Sequence, residues 1–254
     1  MEPWHYDTIP DLDQSLLARL RRFPREPDML IYGARLLSAV LLRGWLRLYH
    51  RLRIVGREHL PTDRSYVLVA NHASHLDALC LLAALPLGKL HHAFPAAAQD
   101  YFFTSAPRLI LTTTVTNALP FDRQIDPQQS LSLCRHVLEH GDNILILFPE
   151  GTRSITGEPG LFKLGVGLIL AGTHHPVVPC HLHGAYAAWP KGAWAPKPRP
   201  IQVTIGPPRT YPHLPPGREA AIQICQDLRE AVLALAPGVT PPVATSETQD
   251  KTRE

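Results

Sequence analysis

Short apolar runs alternate with helical patterns along this chain, and the alternation predicts the fold class. Four strongly apolar runs are typical of buried strands: residues 66–70, 143–148, 176–182 and 201–205. Amphipathic or apolar stretches of helical length occupy residues 127–140, 161–172 and 218–235. Glycines 165 and 167 in the second of these stretches indicate close packing against a neighbour. Strands that alternate with helices indicate an α/β layer fold.

The weaker patterns complete the predicted organisation. Short helices are expected at 11–22 and 99–106, and short strands at 91–94 and 112–118. Residues 1–57 form a polar segment followed by a basic amphipathic helix, and residues 58–236 form the main domain. Residues 237–254 are expected to be a disordered tail.

The stretch from 29 to 55 is both apolar and basic. Between residues 31 and 57 it carries six arginines and no Asp, Glu or Lys. Arg43, Arg47 and Arg51 recur every four residues, which predicts one basic ridge on a helix. The arginines interrupt every window of the roughly 20 apolar residues that a membrane span needs. Two interpretations remain. One is an interfacial helix with its apolar face in the acyl boundary, its arginines on anionic head groups, and Trp45 and Tyr49 at the membrane surface. The other is a core helix with a solvated arginine face.

Composition narrows the class of protein. At 254 residues and 45% hydrophobic content the chain is long enough for one large domain with a sizeable core. The net charge of +3 is small, so nucleic acid is not an expected partner. The four cysteines are far apart and form no CxxC pair, which predicts buried thiols. Since the first residues show no secretory signal, the expected location is cytoplasmic.

A polar corner at residues 71–77, Asn-His-Ala-Ser-His-Leu-Asp, separates the first strand from a helix. Ser74 and Asp77 have the spacing of a capping box, and Asn71 is suited to satisfying backbone groups in the turn. His72 is left unexplained by that structural interpretation. It can meet Asp77 only by folding back over the helix start, where the carboxylate would fix one ring nitrogen and leave the other for a substrate.

A second polar corner, Phe-Pro-Glu-Gly-Thr-Arg-Ser, follows the second strand at 148–154. Arg153 here and Arg123 after another predicted strand suit a phosphate or carboxylate ligand, because guanidinium groups bind oxyanions in a bidentate manner. No metal site is expected, since His72, His75 and Asp77 lack a further ligand at a recognisable spacing. A serine hydrolase is disfavoured because no G-x-S-x-G elbow is present.

Together these motifs resemble the glycerolipid (lysophospholipid) acyltransferase family, of the 1-acylglycerol-3-phosphate O-acyltransferase type. Residues 71–77 are similar to its His-x4-Asp signature and residues 148–154 to its acceptor-binding signature. Phe-Asp-Arg at 121–123 resembles its intermediate block, and Val-Pro-Cys at 178–180 its final block. The blocks follow the family's order over roughly residues 55–210.

The resemblance implies a mixed central sheet flanked by helices and an N-terminal helical segment that associates with the membrane. It implies acyl transfer, without a cofactor, from acyl-CoA or acyl-carrier protein to the free hydroxyl of a lysophospholipid, commonly 1-acylglycerol 3-phosphate. The expected location becomes peripheral, on the cytoplasmic side of the inner or plasma membrane, against anionic lipid. The alternatives are another hydroxyl lipid as acceptor, or a non-catalytic membrane or acyl-CoA-binding module.

Residue roles follow from the same motifs. His72 is the expected general base and Asp77 its orienting carboxylate. The expected acceptor-binding residues are Arg123, Glu150, Gly151, Thr152 and Arg153. Asn71 and Ser74 are expected to be structural. Backbone amides around Gly151 or Ser74 are candidates for stabilising the oxyanion.

Overall fold

A computed structural model describes residues 29–98, 119–121, 127–139 and 141–238. The helices predicted at 11–22 and 99–106, the strand predicted at 112–118, Arg123 and most of the predicted tail lie outside these residues. The helices are α1 Met29–Tyr49, α2 Asp77–Ala84, α3 Pro127–Glu139, α4 Gly165–Leu170, α5 Ala185–Ala188 and α6 Arg218–Ala234. The strands are β1 Arg53–Val55, β2 Tyr66–Ala70, β3 Ala93–Ala98, β4 Leu119–Phe121, β5 Ile144–Leu147, β6 Val177–His183 and β7 Gln202–Ile205.

The strands form one mixed sheet in the order β1-β7-β6-β2-β5-β3-β4. Neighbours are parallel except β6 and β7, which are antiparallel. Val69 pairs with Leu147 on one side, and Ala70 with Cys180 on the other. The carboxyl ends of β2, β5 and β6 therefore meet at one edge of the sheet, where such sheets place ligands. The predicted α/β fold with a mixed sheet flanked by helices is confirmed.

Both faces of the central strands are buried, which explains why they are continuously apolar in sequence. Tyr66, Leu68 and Ala70 of β2 point into a core shared with α1 and α2. The alternate residues Val67 and Val69 point into a second core shared with α3, α4 and α6. The sheet is thus held between two helical layers, and its polar corners are left at the edge.

The close packing predicted for the glycines of α4 occurs at Gly167. A Cβ on this residue would lie 2.3 Å from the Ala221 carbonyl oxygen of α6. At Gly165 the nearest atom, from Leu131, would lie 3.6 Å away, which is ordinary contact. Only Gly167 therefore lets two helices approach this closely, and a larger residue there would force them apart.

The predicted basic ridge on α1 is wrong. The helix ends at Tyr49, so Arg51 lies beyond it with a left-handed φ of 48°. Arg43 turns inward and donates to the Leu85 carbonyl oxygen, which leaves Arg47 exposed. The spacing of four predicts a ridge only while the helix continues, and this helix stops before the third arginine.

The face that α1 leaves uncovered is aliphatic. Leu46 is fully buried and Ala39 nearly so, which fixes α1 on the core beside α2. On the other side Leu37, Val40, Leu41 and Leu48 are exposed to 62%, 49%, 65% and 84%. We call these four residues the α1 stripe. An exposed apolar face agrees with the interfacial interpretation, which also places Tyr49 at the surface, and not with a core helix that exposes an arginine face. Contact with a membrane stays a prediction.

Candidate active site

The first corner brings His72 and Asp77 together, in the folded-back arrangement that the sequence leaves as the one way for them to meet. β2 ends at Ala70 and α2 begins at Asp77, so the intervening loop must fold back over the helix start. The His72 Nδ1 atom lies 2.8 Å from Asp77 Oδ2. The histidine side chain is 20% exposed, whereas that of Asp77 is fully buried. A buried carboxylate thus holds one nitrogen of a histidine that remains open to solvent.

Two further hydrogen bonds fix the carboxylate. The backbone amides of Ala73 and Ser74 each donate to Asp77 Oδ2 over 2.7 Å. On the other side, the imidazole of His72 stacks on Phe148, with ring centroids 4.2 Å apart. Among the described residues His72 Nε2 has no hydrogen-bond partner. The ring is therefore held in place with Nε2 available to take a proton from a ligand.

Ser74 is structural, but it is not the helix N-cap that the sequence predicts. The N-cap residue is Leu76, and α2 starts two residues later than the capping box implies. Ser74 Oγ instead accepts from the Leu76 amide and donates to the Trp189 carbonyl oxygen. A tight turn takes the place of the first helical turn, because Asp77 must reach back to the loop amides.

Asn71 acts on the neighbouring strand rather than within its own turn. Its amide group donates to the Leu182 carbonyl oxygen over 3.1 Å, and its Oδ1 accepts from the Leu182 amide over 2.8 Å. A side chain here continues the ladder between β2 and β6 beyond the last residue of β2. The start of the catalytic loop is therefore fixed to the sheet.

At the second corner Glu150 joins the two loops. Its Oε1 accepts from the His72 amide over 2.8 Å and its Oε2 from the Gly160 amide over 3.0 Å. The Ser154 amide donates to the His72 carbonyl oxygen over 2.7 Å, so His72 is held on both sides. Burial raises the pKa of Glu150. With both oxygens on backbone amides, Glu150 fixes the backbone of His72, and its predicted role in binding the acceptor stays a prediction.

Gly151 has a left-handed φ of 73°, which its turn requires. A Cβ there would lie 2.7 Å from Lys163 Nζ, so the lysine side chain passes directly over this glycine. The sequence did not point to Lys163, because this residue lies outside both signature motifs. It brings an ammonium group to the Glu150–Gly151 turn.

Arg153 turns back toward the first corner, where its guanidinium group contacts the ring of His75. His75 also lies against Trp189, with ring centroids 5.0 Å apart. Burial, and then the charges of Arg153 and His72, lower the pKa of His75. A neutral imidazole can accept from Arg153, so His75, which packs against Trp189, holds this arginine at the first corner.

Of the remaining residues predicted to bind the acceptor, the structure describes Thr152 but not Arg123. The Thr152 side chain is exposed and makes no hydrogen bond to another described residue. β4 ends at Phe121, and Arg123 follows outside the described residues. The amides of Gly151 and Ser74 donate to the Phe148 carbonyl oxygen and to Asp77, so neither is free to stabilise an oxyanion.

The cysteines do not offer a nucleophile. All four are buried and free, as predicted from the sequence. Burial raises the pKa of the Cys80 and Cys180 thiols far above the ordinary value, and that of Cys134 to about 12. A reactive cysteine needs a lowered pKa, so these thiols remain protonated. Within the described residues no group of three or more His, Cys, Asp or Glu side chains is placed to hold a metal ion.

Replacing Glu150 with glutamine tests its positioning role. Glutamine has one acceptor oxygen, so one of the two amides would face an NH2 group. We expect the free energy of unfolding to fall by about 1–3 kcal/mol, and kcat to fall more than the KM for the acceptor rises. Denaturant unfolding and steady-state kinetics measure both, with Glu158→Gln in the same loop as the exposed control. A raised KM with unchanged kcat would instead make Glu150 a ligand for the acceptor.

The family follows from comparison with known proteins. Residues 51–183, which include both corners and β6, match the family model described as Acyltransferase. The match covers more than half of the 254 residues, and the chain belongs to the acyltransferase family.

Individual relatives carry one recurrent name, 1-acyl-sn-glycerol-3-phosphate acyltransferase. The protein of that name from Limnanthes douglasii is 32% identical over 165 residues, which are 62% of this chain and 54% of the relative. The one from Chlamydomonas reinhardtii is 33% identical over 193 residues, 74% of this chain and 54% of the relative. The chain thus spans about half the length of the curated relatives it matches.

A solved structure shares the fold. The crystal structure of the 1-acyl-sn-glycerophosphate (LPA) acyltransferase PlsC from Thermotoga maritima superposes with a TM-score of 0.59. The likeness covers 81% of this chain and 80% of that one, at 23% sequence identity.

Proposed function

We propose that this protein transfers a fatty acyl group from a thioester donor to the free hydroxyl of 1-acylglycerol 3-phosphate, giving phosphatidic acid. The observation that carries the proposal is the His72–Asp77 pair, with Nε2 open and two cationic side chains near the same corners. Arg153 and Lys163 supply positive charge for an acceptor phosphate. The names of the relatives support the same acceptor. Either acyl-CoA or acyl-carrier protein suits the reaction as donor.

The reaction proceeds by direct transfer. His72 Nε2 takes the proton from the acceptor hydroxyl as its oxygen attacks the thioester carbonyl carbon. Asp77 stabilises the imidazolium that forms and keeps the ring oriented. The tetrahedral intermediate then collapses, the C–S bond breaks, and the thiolate leaves and takes the proton from His72. The phosphate contacts hold the hydroxyl next to Nε2, which makes the attack effectively unimolecular.

The acceptor is tested by comparing 1-acylglycerol 3-phosphate with 1-acylglycerol, each with long-chain acyl-CoA and with acyl-carrier protein. We expect product only, or far more efficiently, from the phosphorylated acceptor. Efficient use of the unphosphorylated lipid would favour a different hydroxyl acceptor. Binding of acyl-CoA without any transfer to either lipid would favour a non-catalytic module.

Arg153 gives this test a matched variant. Arg153→Gln should raise the KM for 1-acylglycerol 3-phosphate about tenfold or more, because a charged hydrogen bond contributes about 1.5–3 kcal/mol. The KM for the acyl donor should change little. Arg123→Ala is expected to act in the same direction. Arg199→Gln, an exposed arginine, is the control. Equal losses with phosphorylated and unphosphorylated acceptors would contradict the assignment.

The α1 stripe is proposed as the contact with the membrane. None of the described helices has the length and apolar character needed to cross a bilayer. A row of exposed aliphatic side chains on a helix that is anchored to the core suits insertion into the interfacial region of a lipid surface. Exposed Arg47 beside the stripe favours anionic lipid. A peripheral position on the cytoplasmic leaflet would give access to both the lipid acceptor and the thioester donor.

Leu41→Asp tests the membrane contact, since this side chain is 65% exposed and makes little contribution to the core. We expect the variant to fold normally and to lose most of its binding to lipid vesicles. Activity on membrane-bound acceptor should fall, while activity on a detergent-dispersed acceptor should change little. Vesicle sedimentation gives the measurement. The matched control is Ile222→Asp on α6, exposed to 38%. Unchanged vesicle binding by Leu41→Asp would exclude the stripe as the contact.

A further inference from the structure

A second cluster of positive charge lies at the far end of α2 from the catalytic corner. Arg43 of α1, Arg57 and Lys89 line a cavity of about 330 Å³, whose other walls include Leu60, Leu85 and Pro86. We call this the basic cavity. About 12 Å of helix separates it from Asp77, since the eight residues of α2 rise 1.5 Å each. It is therefore separate from the site that holds His72.

The two arginines are held by the last turn of α2. Arg57 Nη2 donates to the Ala83 carbonyl oxygen over 3.1 Å, and Arg43 Nη2 donates to that of Leu85. Each contact uses one of the five N–H groups of a guanidinium. Arg43 Nε is buried and has no partner among the described residues. Most of the donor capacity of this pair is therefore unused within the part of the chain that the structure describes.

Within the described residues the two arginines lack a partner carboxylate: none lies within ion-pairing distance of Arg43 or Arg57. Lys89 does have acidic neighbours, since it pairs with exposed Asp142 at 3.4 Å and interacts with the charge of Asp63. Burial, and then the neighbouring charge of Arg57, lower the pKa of Arg43. Two guanidinium groups that repel each other across one cavity are stabilised by a bound anion.

We propose that Arg43, Arg57 and Lys89 form a binding site for a phosphate group, distinct from the catalytic corner. Two forked guanidinium groups and an ammonium match the oxygens of a phosphate. The group belongs either to a soluble phosphate compound or to a lipid head group. A lipid head group suits the position of Arg43, because this arginine lies on the same helix as the α1 stripe.

The test uses the full chain carrying Arg153→Gln and Lys163→Gln, so that the catalytic corner lacks the two described cations assigned to the acceptor phosphate. Calorimetric titration with inorganic phosphate at constant ionic strength should show one site. Adding Arg57→Gln should weaken that site about tenfold or more, because a charged hydrogen bond is lost. Adding Arg47→Gln, an exposed arginine of α1 outside the cavity, should leave it unchanged. Lys89→Gln provides a second variant that does not touch α2, and Arg57→Lys should restore part of the binding.

Binding to lipid vesicles distinguishes a lipid head group from a soluble phosphate compound as the ligand. Arg57→Gln is compared with Arg218→Gln, an exposed arginine of α6 outside both the cavity and α1, on phosphatidylcholine vesicles with and without phosphatidylglycerol. If Arg57→Gln loses more phosphatidylglycerol-dependent binding than the control variant, the site is assigned to a lipid head group. If the two variants lose equal amounts while Arg57→Gln still weakens the binding of inorganic phosphate, the site is assigned to a soluble phosphate. Absence of a phosphate site in this background protein, with equal vesicle binding by Arg57→Gln and Arg218→Gln, would overturn the proposal. None of these outcomes depends on acyl transfer.

Discussion

Replacing His72 with alanine is expected to reduce kcat for acyl transfer about a thousandfold or more, because a positioned general base contributes about 10²–10⁴ and also sets the geometry of attack. The fold should remain, since the ring is partly exposed and Asp77 Oδ2 keeps its two amide donors. Kinetics with purified protein and thermal unfolding measure the two quantities. His213→Ala, an exposed histidine in the connection between β7 and α6, is the matched control.

An alternative base would show itself in the same experiment. If His72→Ala retained a large share of wild-type turnover, His72 would not be the base and the open Nε2 atom would have another use. If the variant lost activity only because it unfolded, its thermal transition would fall with it. The His213→Ala control excludes a general effect of removing a histidine.

Asp77→Asn is expected to lower kcat about a thousandfold while lowering stability as well. An asparagine oxygen in the place of Asp77 Oδ2 could still accept from His72 and from both amides. It would no longer carry the charge that stabilises the imidazolium. Its NH2 group would take the place of Oδ1, which is buried and has no partner among the described residues. That buried group should cost about 1–3 kcal/mol of unfolding free energy.

The two variants should not be additive. Because Asp77 acts through His72, the double variant should be about as inactive as His72→Ala alone. Steady-state kinetics of the wild type, the two single variants and the double variant measures the coupling free energy between His72 and Asp77. Fully additive losses would mean that Asp77 supports the reaction by a route that does not include His72.

Much of the fold is predictable because strands buried on both faces leave a plain signal. The runs at 66–70, 143–148, 176–182 and 201–205 each became a strand within one or two residues of its predicted ends. Short β1 at the edge of the sheet has alternating exposure and no comparable run, so it was missed. The ridge on α1 failed because side-chain spacing cannot show where a helix ends.

Within the candidate site, only the contact between near neighbours was predictable. His72 and Asp77 are five residues apart, and they can make contact only if His72 folds back over the start of the helix. Glu150 reaches His72 and Gly160 across 78 and 10 residues, and Arg153 reaches His75 across 78. The two contacts across 78 residues depend on β2 and β5 being neighbours, which the spacing of the motifs does not reveal.

Lys163 and the α1 stripe illustrate a second limit. Lys163 belongs to no signature and becomes part of the corner only because Gly151 lacks a side chain. The sequence allows an exposed apolar face on α1, but it does not show that Leu37, Val40, Leu41 and Leu48 form this face. They are exposed because the opposite side of α1, which carries buried Ala39 and Leu46, packs against α2.

Direct transfer is the central claim, and a single-turnover experiment tests it most directly. Purified enzyme in excess is mixed with radiolabelled acyl-CoA or acyl-carrier protein, with and without 1-acylglycerol 3-phosphate, and quenched at intervals. Thiol release and phosphatidic acid formation should appear together, at one rate, and only when the acceptor is present. Acceptor-independent release of thiol in an amount equal to the enzyme, with label bound to the protein, would reveal an acyl-enzyme and contradict the mechanism.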